Sequence, residues 1–146
     1  MRINPQINAS LSNTYHGRVI VDSNATGAYQ DVAFAIPMPG VLYGQPVKVE
    51  EVTIYYDSTS TYTYIDETRV YRQRNTTHLD YYTMGTLLTN QNSVNYTSYS
   101  VPMDSDNVLS AEEGMVTVHI KIYFDYSDER VTIGGVRVRL GHHPLY

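Results

Sequence analysis

The fold is decided by residues 115–126, MVTVHIKIYFDY. Val116, Val118, Ile120, Ile122 and Phe124 alternate without a miss with Thr117, His119, Lys121, Tyr123 and Asp125. Successive side chains of an extended chain point to opposite faces. A period of two therefore makes one face apolar and the other polar, as in a half-buried antiparallel strand. No other alternating run in the chain is as long, so neighbouring segments are expected to pair with it or pack over it.

Beyond this strand, Ser127-Asp128-Glu129 reads as a hairpin turn, and Val131 and Ile133 open a last strand that Val136, Val138 and Leu140 finish. The parity slips at Gly134-Gly135, which predicts a bulge, and Arg137 and Arg139 then face water. The same slip separates Val47 and Val49 from Val52, Ile54 and Tyr56, with a bulge expected at Glu50-Glu51. Further strands are expected over Arg18–Val21, Val32–Ile36, Val47–Asp57, Thr61–Arg74, His78–Thr89 and Val94–Val101. The run from Thr61 has mixed parity, with Tyr62, Tyr64 and Val70 in one set and Ile65 and Tyr71 in the other, so it does not reveal its buried face. Pro37, Pro39 and Gly40, and later Gly44 and Pro46, break the ladders because proline cannot donate to them.

Only Met103–Gly114 predicts helical character. Ser110 and Glu113 have capping-box spacing, enough for a single turn over Val108 and Leu109. The tally is about eight strands with no crossover helix, which argues against a parallel sheet. The expected fold class is all-β: an antiparallel two-sheet β-sandwich, jelly-roll-like. Residues 1–14 are polar and unpatterned and read as a flexible N-terminal arm, 15–141 as the sandwich domain and 142–146 as a C-terminal tail.

The 146 residues carry a net charge of −5, and the 10 Lys and Arg are scattered, which excludes a protein that tracks phosphate backbones. There is no cysteine for a disulfide or a thiolate metal site. No apolar run approaches the ~20 residues of a membrane span, and residues 1–15 lack the apolar segment of a signal peptide. Neither a nucleophile elbow nor a phosphate-cradling glycine loop occurs, so no catalytic residue, cofactor or enzyme activity is expected. Asp104, Asp106 and Glu112 partly match a calcium loop. Val108 takes a ligand position there and Leu109 the glycine position, so a solvated acidic loop is the better reading. His119, between Thr117 and Lys121, reads as a surface histidine. Asn8, Asn24, Asn75 and Asn95 begin N-x-[ST] triplets, a hint of a glycosylated exterior.

The unusual count is tyrosine: 15 Tyr against 2 Phe and no Trp. Of adjacent strand residues one must leave the core, so Tyr55, Tyr62, Tyr64, Tyr81, Tyr82, Tyr96, Tyr99, Tyr123 and Tyr126 are the candidate contact residues. A tyrosine ring offers apolar area with a polar tip, which suits packing against another subunit or stacking on a sugar ring.

The order of VAFAIPMPGVLYGQPVKVEEVTIYYD, an R-x-Y-R strand at Arg69–Arg72, GMVTVHIKIYFDYS and VTIGGVRVRL resembles jelly-roll-like β-sandwich modules of bacterial and phage surface and virion structural proteins, over residues 32–140. The resemblance implies a non-enzymatic unit of a virion, tail fibre or cell surface. The leading expectation is a structural assembly protein whose partners are copies of itself, as a homo-oligomer, or another structural protein, with no nucleic acid and no membrane insertion. The alternative is a carbohydrate-binding module that uses exposed tyrosines. Either would place the protein in a virion or outside the cell.

Overall fold

The computed structural model describes residues 2–3, 9–13, 19–23, 26–37, 41–42, 45–73, 81–105, 107–109 and 115–142. Among them are twelve strands: β1 (Arg2–Ile3), β2 (Ala9–Asn13), β3 (Val19–Ser23), β4 (Ala28–Pro37), β5 (Val41–Leu42), β6 (Gln45–Ser58), β7 (Tyr64–Gln73), β8 (Tyr81–Leu87), β9 (Thr97–Val101), β10 (Val108–Leu109), β11 (Met115–Phe124) and β12 (Arg130–His142). One sheet has the order β1-β4-β11-β7-β8. The other runs β10-β6-β12-β3-β2, with β5 and β9 also pairing β6. All pairs are antiparallel, which makes an all-β, jelly-roll-like sandwich. β3, β4, β6, β7, β8, β9, β11 and β12 answer to the eight expected strands.

The opening run behaves as its period dictates. β11 sits between β4 and β7, and Val116, Val118, Ile120, Ile122 and Phe124 are all fully buried. Facing them from the second sheet are Val47, Val49, Val52 and Ile54 of β6 with Val131 and Ile133 of β12, also buried. Each such side chain contributes about 1.5–3 kcal/mol on leaving water. Both expected bulges occur. Arg139 pairs Glu51 and Leu140 pairs Val49, leaving Glu50 as the extra residue, while Ile133 pairs Tyr56 and Gly135 pairs Tyr55, leaving Gly134 over.

The mixed parity of β7 also has a bulge behind it. Lys121 pairs Glu67 but Ile122 pairs Ile65, so Asp66 is the surplus residue. Ile65, Thr68 and Val70 consequently all point inward.

Three expectations are corrected. Residues 2–3 and 9–13, read as part of a strand-free arm, pair with β4 and β3. Ala9 and Leu11 do alternate with Ser10 and Ser12, but two apolar residues in a polar segment are too short a period to announce a strand. Val108 and Leu109, expected beneath a helical turn, form a strand on β6 instead; Ser110 and Glu113 lie outside the described residues. The interior also holds polar side chains. Thr68, Asn107, Ser58 and Thr63 are buried, each with a hydrogen bond, as buried polar groups require. Asn107 Nδ2 donates to Val49 O at 2.7 Å. His142 belongs to β12, and 143–146 lie outside the described residues. Among the described residues no helix is long and apolar enough to cross a membrane.

Candidate functional site

The five-stranded sheet turns its other face to solvent, and cross-strand register decides which side chains meet there. Tyr123 of β11 lies opposite Tyr29 of β4 and Tyr64 of β7. The three rings therefore form a row across the strands, with centroids 5.1 Å apart (Tyr29–Tyr123) and 5.2 Å apart (Tyr64–Tyr123), close to the spacing of the strands themselves. Interplanar angles of 55° and 34° make them tilted walls rather than one flat platform.

Behind this row the register sets Asp31, Lys121 and Glu67 side by side, and behind those Ala33, His119 and Arg69. Lys121 Nζ stands 4.7 Å from the Tyr29 ring centroid. His119 Nε2 lies 3.5 Å from Asp31 Oδ1, and Arg69 Nε bonds Glu67 Oε1. Ala33 and Ala35 are small, so the face is low beside His119 and Thr117. Burial pushes the Tyr64 phenol above its ordinary range, and Tyr29, Asp66 and Tyr123 push it further. Its hydroxyl therefore keeps its proton and remains a donor.

The end of the sandwich that carries the ring row is laced by its turns. Gly27 N donates to Asp125 O at 3.2 Å, joining the turn before β4 to the one after β11. Asp125 N donates to Thr63 Oγ1 at 3.1 Å, and Thr59 N to Arg130 O at 3.0 Å. Thr59 Oγ1 also bonds Glu129. Gly27 has φ +66°, a left-handed conformation that glycine adopts without strain.

The expected tyrosines divide. Tyr64 and Tyr123 join the row. Tyr62 and Tyr126 stand in the turns at the same end, 70% and 58% exposed. Tyr55 and Tyr96 stack on the outer face of the other sheet, centroids 6.5 Å apart at 24°. Tyr82 lies under the Arg72 guanidinium, 5.0 Å from its ring. The Tyr81 side chain lies outside the described residues. Tyr99 is a correction: expected at the surface, it is 9% exposed, packed edge-on against Tyr56 and bonded to Thr68. It shares its parity with Val101, which is the signal for an inward position. Tyr29, half-exposed, is the site residue that the pairs of nearby tyrosines do not reveal.

Of the cation candidates, Asp106 and Glu112 lie outside the described residues and Asp104 is exposed. No group of three His, Cys, Asp or Glu able to hold a metal occurs among the described residues.

No protein-family model matches the chain, and a search of the curated proteins finds no match. Solved structures do match its fold. A CBM4 carbohydrate-binding module is similar over 94% of this chain and 92% of its own, with a TM-score of 0.55 and 10% identity. PfGH50B matches with a TM-score of 0.54 and 13% identity over 99% of this chain but 23% of its own. The CBM22-1–GH10 part of xylanase 10B from Clostridium thermocellum, solved with xylohexaose, has a TM-score of 0.50 and 10% identity over 97% of this chain and 25% of its own. At such identities the likeness is one of fold.

Proposed function

We propose that this domain is a non-catalytic carbohydrate-binding module whose site is the solvent face of the five-stranded sheet. The observation that carries the reading is the Tyr29–Tyr123–Tyr64 row in register beside Asp31, Lys121 and Glu67. The negative face of a tyrosine ring attracts the polarised C–H bonds of a pyranose ring. Carboxylates, guanidinium and imidazole beside it offer the acceptors and donors that sugar hydroxyls need. A rigid sheet holds both sets in place, as a specific polar site requires. The fold shared with a CBM4 module agrees with this reading. Such a protein works where polysaccharide is found, outside the cell or at a surface.

Subunit assembly, the leading expectation from the sequence, has no comparable observation: the fold likeness gives virion assembly no specific support, and two of the tyrosines counted toward an interface, Tyr64 and Tyr123, stand in the ring row. A broad glycan array followed by calorimetry tests the proposal. At least one polysaccharide class binds, and Tyr123→Ala weakens it about tenfold or more, in the range of about 1–3 kcal/mol for loss of one stacked ring. Tyr96→Ala, on the opposite sheet, leaves it unchanged. An array without a hit, or binding indifferent to Tyr123, overturns the reading.

A further inference from the structure

We propose that this face selects acidic glycans, chains of uronic acid units, and that Lys121 is the residue that reads the acid; the inference rests on the glycan reading above. Lys121 has a carboxylate on each side in register, Asp31 and Glu67. Both are turned elsewhere, Asp31 to His119 at 3.5 Å and Glu67 to Arg69. Among the described residues no ion pair within 4.0 Å holds the Lys121 ammonium. It stands over the half-exposed Tyr29 ring instead. The central cation of the site thus has an aromatic neighbour and, among the described residues, no salt-bridge partner.

A pyranose laid against Tyr29 and Tyr123 brings its ring substituents beside Nζ. A carboxylate there would form a charge-assisted hydrogen bond, roughly twice as strong as the neutral bond a hydroxymethyl group offers. Asp31, Asp66 and Glu67 outnumber Lys121 and Arg69 on this face, so the preference does not come from long-range attraction. It is made at contact, between one acid group and one ammonium.

The test is calorimetry on the intact protein with oligogalacturonate and oligomannuronate, with their methyl esters at matched length, and with neutral xylo-, cello- and manno-oligosaccharides. At least one free acid binds about fivefold more tightly than its own ester. The ratio falls toward one in 0.5 M salt, where the Debye length is about 4 Å, and in Lys121→Gln. Arg137→Gln, on the other sheet, keeps the ratio. Esters binding as well as acids, or a Lys121→Gln protein that retains the preference, overturns the proposal. Binding confined to neutral glycans overturns it while leaving the glycan reading standing. Binding to none of these probes or the array overturns both.

Discussion

Thr68 Oγ1 and Tyr99 Oη lie 2.7 Å apart in the interior, where they tie β7 of one sheet to β9 of the other. Thr68 is 1% exposed and Tyr99 9%, so neither hydroxyl has water to fall back on. Tyr99→Phe or Thr68→Val alone leaves its partner unsatisfied and costs about 1–3 kcal/mol. The double variant costs less than the sum of the two, with a coupling of about 0.5–3 kcal/mol. Chemical denaturation of the four proteins measures it.

The same pair sets an alkaline limit. Burial pushes the Tyr99 phenol well above the ordinary value near 10, Tyr56 adds to this, and the Thr68 hydrogen bond acts the other way. The folded state therefore holds that proton to higher pH than the unfolded chain does. Stability is full below about pH 10 and falls as pH rises through and above it. Tyr99→Phe flattens the decline. Tyr64, also raised, leaves a residual slope. Denaturation midpoints between pH 8 and 11 show the difference.

Two glycines separate close packing from open space. A Cβ on Gly85 would meet Pro102 O at 2.5 Å and Met103 Cε at 2.6 Å, where Gly85 bridges to Met103. Backbone cannot swing aside, so Gly85→Ala destabilises by about 1–3 kcal/mol. Gly135 has nothing within 4 Å of such an atom, and Gly135→Ala stays within about 0.5 kcal/mol. Thermal melts of both variants rank them.

The bulge on β6 gives a deletion test. Without Glu50, Val47 and Val49 remain in phase with Val52, Ile54 and Tyr56, so the inward set survives and the domain folds. Deleting Thr53, three residues on, puts Val52 out of phase with Ile54 and Tyr56, so either Val52 or that pair turns to water and the sheet is destabilised whichever register it takes. Far-UV circular dichroism separates the two outcomes.

The slips at Glu50 and Gly134 are legible in the sequence because apolar residues flank them on both sides. The slip at Asp66 is not. Tyrosines and charged residues surround it, and either is at home on both faces of a sheet. The ring row stays hidden for a related reason. Tyr29, Tyr64 and Tyr123 are far apart in the chain and meet only through strand register, which periodicity does not supply. β1 and β2 escape sequence reading because a two-residue strand has no period and Ala9 and Leu11 alone make too short a one.

The laced turns beneath the ring row bear on how any ligand is held. With Gly27, Asp125, Thr63 and Thr59 tied across three connections, the strand ends that carry the three rings are held in place before anything arrives. Association then loses little freedom on the protein's side, and affinity should follow the stiffness of the sugar chain rather than any adjustment of the receptor.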